Sequence, residues 1–304
     1  MYLAHFGLRE APFGITPDTS YFFACTDYQE ALNTLLVAVR SGEGFIKITG
    51  EVGTGKTLLC RQFLASVNGG GTATQKSRFV TAYIPTPCLS PRNLLLALAD
   101  ELKVTLPRQV DQHGLQKALS AALLEFARQD KNVVLCIDEA QAMPLESLET
   151  IRLLTNLETE KHKLLQIVLF GQPELDQKLQ QNSIRQLNQR ITFHYHLRAL
   201  RRADIDFYLA HRLKVAGFVG HRVFRPWAVY QLYAASGGIP RLINILANKA
   251  MMLSYGEGSQ QVHARHVRAA RRDTVGARPQ RWQWLAVAAA LVLAGSAWGW
   301  MVLR

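Results

Sequence analysis

Eight consecutive residues, Gly50-Glu51-Val52-Gly53-Thr54-Gly55-Lys56-Thr57, read G-x-x-x-x-G-K-[ST], a spacing whose chemistry is the gripping of a nucleotide's phosphates. Its glycines let backbone N–H groups curl around phosphate oxygens with no Cβ in the way. The helical pattern that follows, LLCRQFLA from Leu58, turns its positive N-terminal end toward the same anion, so Leu58 joins the cofactor-binding set. In such a loop Lys56 reaches the β- and γ-phosphates and Thr57 binds Mg²⁺. A second segment, VVLCIDE at 133–139, is an apolar strand that delivers two carboxylates to its C-terminal end. Asp138 there completes the Mg²⁺ shell, and Glu139 orients or deprotonates the attacking water. The expected ligands are therefore a nucleoside triphosphate and Mg²⁺, and the adjacent Glu139 points to hydrolysis rather than binding alone.

These segments need a sheet to position them. Apolar runs at 45–49 (FIKIT), 79–84 (FVTAYI), 133–137 (VVLCI), 164–170 (LLQIVLF) and 192–197 (TFHYHL) read as strands, and runs as continuous as VVLCI suit parallel strands buried on both faces. Helical patterns alternate with them. One runs from a cap at Asp27 to Arg40, and one opens at Ser90-Pro91. A third covers 115–127, and another runs from Pro144 to about Lys161. The alternation predicts an α/β fold. After residue 197 only helical patterns remain, at 203–216, 226–236, 239–255 and 264–272, so a small all-helical domain follows.

Composition narrows the class. Of 304 residues, 48% are hydrophobic and 19% charged, which excludes a disordered chain, a collagen-like chain and a disulfide-stapled scaffold. The net charge of +12, from 35 Lys and Arg against 23 Asp and Glu, asks for an anionic partner: nucleotide, nucleic acid or anionic lipid. Cys25, Cys60, Cys88 and Cys136 show neither CxxC spacing nor grouping with His, which argues against zinc and for a reducing compartment. The N-terminus lacks the pattern of a secretory leader. Residues 284–303, WLAVAAALVLAGSAWGWMVL, carry no charge, and twenty helical residues cover about 30 Å, the thickness of a bilayer core. Trp282, Trp284, Trp298 and Trp300 stand near the two ends of this run, as an interfacial belt would. Arg271, Arg272, Arg278 and Arg281 precede it and only Arg304 follows, which predicts a single C-terminal transmembrane helix with the globular part in the cytoplasm.

The segments MYLAHFGLREAPFGITPD, EGFIKITGEVGTGKTLLCRQ, CIDEAQAMP, LFGQPELDQKL, QLNQRITFHYHL and GGIPRLINILANKA resemble AAA+ ATPases of the ExeA/GspA type, over about residues 1–270. Within that group they are most similar to the branch serving mannose-sensitive haemagglutinin (MSHA, type IV) pilus biogenesis. The resemblance implies a P-loop AAA+ parallel five-stranded sheet flanked by helices, with a helical lid. It divides the chain into an N-terminal linker at 1–26, with Phe6, Pro12 and Phe13 packing near the nucleotide, and an ATPase core at 27–198. A lid at 199–273, a basic juxtamembrane linker at 274–281 and a transmembrane helix at 282–303 follow. It also implies catalytic roles beside Glu139 and Lys56. Gln172 becomes a sensor of the γ-phosphate, and Arg190, or else Arg185, an arginine finger acting in trans. Arg241 becomes a second sensor on the lid.

A finger in trans implies a homo-oligomer that completes each site. The further partners implied are pilus or secretion assembly proteins and the bacterial inner membrane. Larger members carry a peptidoglycan-binding region after the span, and the expectation for this chain is that it has no such domain. The alternative is a DNA-binding regulator related to transposition ATPases. Nucleic acid is the less favoured partner, because 265–281 places six arginines against one aspartate beside the apolar run, where anionic lipid accounts for them. A slowly hydrolysing scaffold is the third reading.

Overall fold

A computed structural model describes residues 2–69, 78–107, 109–155 and 163–277. The chain divides into two compact units: Thr16–Arg198, and the first fifteen residues together with those from Ala199 onward. One helical turn, α1 (Tyr2–His5), opens the chain and belongs to the second unit.

The first unit runs α2 (Thr26–Arg40), β1 (Phe45–Gly50), α3 (Lys56–Gly69), β2 (Phe79–Ile84), α4 (Pro91–Glu101), α5 (Gln112–Arg128) and β3 (Asn132–Ile137). It continues through α6 (Leu145–Leu154), β4 (Leu165–Gly171), α7 (Glu174–Leu179), α8 (Arg185–Gln189) and β5 (Ile191–Leu197). The five strands form one sheet in the order β2-β3-β4-β1-β5, every pair parallel. β4 thus lies between β1 and β3. Because all strands point one way, the residues just past β1, β3 and β4 emerge on the same edge, as the pairings Thr49 with Gly171 and Ile137 with Leu169 require. β1 and β4 are buried along their whole length and β3 from Val133 onward. The edge strand β5 alternates, with Thr192, His194 and His196 exposed, as a strand covered on one face must. Leu94, Leu95 and Leu98 of α4 and Leu115, Leu119 and Leu123 of α5 join Val133, Leu135 and Ile137 in the core; the four-residue spacing in α5 sets one apolar stripe against the sheet.

Three boundaries differ from those the sequence suggests. Asp27 does not cap α2: Cys25 holds that position without a side-chain capping bond, and Asp27 lies in the first turn, where its charge complements the helix dipole. The helix after Pro144 ends at Leu154 rather than near 161. The Thr155 hydroxyl donates to the Arg152 carbonyl at 2.8 Å, satisfying a last-turn acceptor that a continuing helix would use. Residues 16–26 belong to the α/β unit rather than to a separate linker. Tyr21 is buried there, and Arg61 of α3 donates to the Pro17 carbonyl at 2.7 Å.

The second unit contains α9 (Asp204–Val215), α10 (Pro226–Ser236), α11 (Pro240–Gly256) and α12 (Ala264–Arg272). The opening segment is built into its core. Phe6, Leu8 and Phe13 are buried, and the Phe13 ring meets Phe224 edge-on at 5.7 Å. Buried Arg212 donates to the carbonyls of Pro12 at 2.5 Å and Gly14 at 3.3 Å. The two glycines of GGIPR have a backbone reason. Gly237 ends α10 in a left-handed conformation (φ 62°). Gly238 follows at φ 81°, and a Cβ there would overlap the Leu200 carbonyl oxygen. The apolar run at 282–303 lies outside the described residues. Among the described residues no helix is long and apolar enough to cross a membrane.

Gly238→Ala is expected to destabilise the helical unit by about 3 kcal/mol, the sum of backbone strain and a steric clash. Urea denaturation checks this, with Gly256→Ala, where a Cβ meets nothing within 4 Å, as the control.

Candidate active site

The residues after β1, β3 and β4 converge. At the end of β1 the chain turns through Gly53 (φ 81°) and Gly55 (φ 94°) and enters α3 at Lys56. Leu59 is the first residue whose N–H reaches back to a carbonyl, that of Gly55 at 2.9 Å. The N–H groups of Lys56, Thr57 and Leu58 are the orphan donors of a helix start, and an anion fits there. Thr54 pins the loop by donating its hydroxyl to the Glu51 carbonyl at 2.8 Å. Val52 is exposed at the loop's tip. Lys56, 4% exposed, donates to the carbonyls of Gly50 at 2.8 Å and Glu51 at 3.0 Å, so its ammonium sits over the loop. Burial lowers its pKa, while the carboxylates of Glu139, Asp138, Glu51 and Glu174 pull the other way.

β3 and β1 are not neighbours in the sheet, yet their chemistry meets through α3. The Thr57 hydroxyl donates to Asp138 Oδ2 at 2.5 Å. Asp138 is 2% exposed, and burial raises its pKa against the bonds donated by Thr57 and by the Glu139 N–H. A hydroxyl and a carboxylate in contact at the mouth of an anion cradle are the oxygen ligands a Mg²⁺ ion accepts, with phosphate and water completing its shell. The donor set therefore fits a nucleoside triphosphate with its metal.

Glu139 adopts a left-handed backbone (φ 51°, ψ 38°), uncommon for a residue with a side chain. Its carboxylate accepts from the side-chain amides of Gln141 at 2.5 Å and Gln172 at 2.9 Å. Burial alone would raise its pKa. The two amides and the Lys56 charge outweigh that, and the carboxyl stands below the ordinary glutamate value. Gln141 also accepts from the Gln172 backbone N–H at 3.0 Å, which closes the cluster.

The loop 50–58, Asp138, Glu139 and Gln172 are thus brought together. Arg190 is engaged elsewhere: its guanidinium donates to the Thr155 hydroxyl at 3.1 Å and the Arg152 carbonyl at 3.5 Å, closing the end of α6. Arg185, the first residue of α8, is exposed and makes no ion pair or hydrogen bond among the described residues. Arg241 belongs to the helical unit, exposed in the first turn of α11. Two contributors were not foreseen. Tyr28 of α2 donates its hydroxyl to the Thr54 carbonyl, and no local pattern marks it. Gln141 was visible only as the polar residue two places after Glu139.

Residues 39–179 match the AAA domain family, a stretch that begins at the end of α2 and closes with α7. With the parallel sheet and the cluster above, the α/β unit is a P-loop AAA+ ATPase domain, an ATP hydrolase by class. Over nearly its whole length the chain is similar to General secretion pathway protein A. The chain is 41% identical to that protein from Aeromonas hydrophila over 304 residues, covering 99% of this chain and 54% of the relative, and so spans about half the relative's length. Among solved structures it is similar to Cdc6p of Pyrobaculum aerophilum (TM-score 0.65, 15% identity, 87% of this chain and 73% of that one). ORC2 of Aeropyrum pernix in its ADPNP–ADP complexes is also similar (0.62, 18%, 84% and 69%). A third is the RuvB branch migration motor of Thermotoga maritima (0.55, 14%, 86% and 72%). At such identities these share the fold.

Gly55→Ala is expected to weaken ATP binding at least about tenfold, since its left-handed φ and a Cβ 2.6 Å from the Tyr28 hydroxyl together cost more than 1.4 kcal/mol. Titration with a fluorescent ATP analogue measures it; unchanged affinity would count against the loop as the phosphate cradle.

Proposed function

We propose that this ATPase domain works from the cytoplasmic face of a bacterial inner membrane, turning over ATP to assemble or position a type IV pilus or general secretion (type II) machine. On this reading it resembles MshM, the MSHA pilus biogenesis protein. The 41% identity to a protein named for general secretion supports the machine. The uncharged run at 284–303 behind a basic segment supports the single C-terminal anchor.

The observation that carries the chemistry is the joint placement of Lys56, Asp138 and Glu139 at one sheet edge. The orphan N–H groups and Lys56 bind the phosphates. Thr57 and Asp138 would hold Mg²⁺, which would supply charge neutralisation at the phosphates. Glu139 accepts the proton of the attacking water. Gln172 reads the γ-phosphate: its amide, now spent on Glu139, transfers to a phosphate oxygen and leaves the carboxylate free for water. Each site is completed by an arginine from a second copy of the chain. Arg185 is the better candidate, because it is exposed and uncommitted while Arg190 would first have to leave α6. Arg241 is assigned to the γ-phosphate as the lid's sensor. A nucleic-acid-binding regulator remains the second reading, favoured by the strongly basic helical unit.

Glu139→Gln keeps the shape and removes the base. It is expected to hold ATP with near-normal affinity and to lose about 10²- to 10⁴-fold in turnover. Arg185→Ala is expected to fall by about 10³-fold. Mixing the two inactive proteins should restore part of the turnover, because an interface joining Glu139 of one copy to Arg185 of the other is intact. Glu139→Gln with parental turnover would remove the assigned base. Recovery with Arg190→Ala but not with Arg185→Ala would move the finger to Arg190.

A further inference from the structure

The positive charge is not shared between the two units. Residues 1–198 hold twenty Lys and Arg against nineteen Asp and Glu, whereas 199–281 hold fourteen against four. Ten of the twelve net charges therefore belong to the helical unit and the segment that leaves it. Within the folded unit they are organised. α12 buries His266, Val267 and Ala270 and turns Arg265, Arg268 and Arg272 outward, spaced so that they share one helix face. Arg265 is paired with Glu257 at 2.5 Å. Arg268 and Arg272 have no ion pair among the described residues. Beside them runs an open groove whose walls include Arg225, Trp227, Arg265 and Arg268. Trp227 is 72% exposed. Its ring meets Tyr230 edge-on at 5.9 Å, and the Arg202 guanidinium lies 4.9 Å over that tyrosine.

We propose that this arginine and tryptophan face of the helical unit docks on the anionic headgroups of a phospholipid bilayer, so that the unit lies against the lipid surface. The inference rests in part on the reading of 284–303 as a span of that same bilayer. Charge complementarity selects an anionic surface. An amphipathic indole ringed by guanidinium groups suits the headgroup layer, where tryptophan concentrates. Chain length selects lipid over other polyanions. Only eleven residues separate Arg272 from Trp284, and full extension of that segment reaches about 40 Å, so α12 is held close to the membrane at high effective concentration. Each basic residue that reaches the surface strengthens partition about fivefold.

The full chain, reconstituted in vesicles, tests both layers of the inference. Flotation with neutral phosphatidylcholine vesicles in high salt reads the span alone. The rate at which an arginine-selective dicarbonyl modifies each guanidinium, followed by mass spectrometry, reads the face. With vesicles containing about one third phosphatidylglycerol, Arg268 and Arg272 are expected to react at least about threefold more slowly than on neutral vesicles. Arg128 of the α/β unit, its side chain 79% exposed, should be unchanged, and high salt should erase the difference. Equal rates on the two vesicles would overturn the proposal. Shielding by duplex DNA but not by anionic vesicles would overturn it in favour of nucleic acid. Failure to float on neutral vesicles, with salt-sensitive shielding on anionic ones, would remove the span and leave the face standing.

Discussion

A lysine and a carboxylate both taken out of water are tolerable only where hydrogen bonds and nearby opposite charges replace the lost hydration. Lys56 and Asp138 are almost fully buried, at the ends of two strands that do not touch each other. Desolvating either charge alone would cost several kcal/mol. The arrangement holds because the Lys56 ammonium is bonded to two loop carbonyls and Asp138 to the Thr57 hydroxyl and the Glu139 N–H. The all-parallel order, which collects three strand ends on one edge, is what brings these partners within reach. The pulls on the three groups differ in kind: burial dominates Lys56 and Asp138, whereas hydrogen bonds prevail at Glu139. A glutamate held below its ordinary value by two amides thus stands beside an aspartate that burial makes costly to charge.

The helical unit follows a different logic. Its opening residues are not a tail: the Pro12 and Gly14 carbonyls are tied to Arg212, and Phe13 fills a gap beside Phe224. The first fifteen residues and those of 199–277 therefore fold as one body, with the α/β unit between them in sequence. Nearly all of the net charge rides on that body, while the ATPase unit is close to neutral. The nucleotide-binding loop and the excess positive charge are thus separated along the chain.

How much of this could be read beforehand depends on the range of the interaction. The phosphate loop and the acidic pair are local in sequence, and the strands containing them appear within one residue of where apolar runs place them, at 45–50 and 132–137. Helices 226–236 and 264–272 begin and end as periodicity predicts. Strand order was not readable, because insertion of β4 between β1 and β3 leaves no local trace. Tyr28 lies 26 positions from its partner Thr54, and Gln172 lies 33 from Glu139; neither separation obeys a period. Phe6 and Phe13, which the resemblance places near the nucleotide, are buried in the helical unit. The sequence shows that they are apolar, but not which core they fill. Arg190 had the right place before β5 for a finger, and its hold on α6 is a tertiary contact that only packing creates.

The central claim is that Thr57 and Asp138 together hold the metal of a bound triphosphate. Equilibrium titration of the full chain with a fluorescent ATP analogue, with and without Mg²⁺, tests it most directly when repeated on Asp138→Asn. The account predicts that Mg²⁺ tightens binding by at least about tenfold in the parent, in keeping with one charge-assisted contact, and has little effect in the variant. Equal gains from Mg²⁺ in both proteins would contradict it.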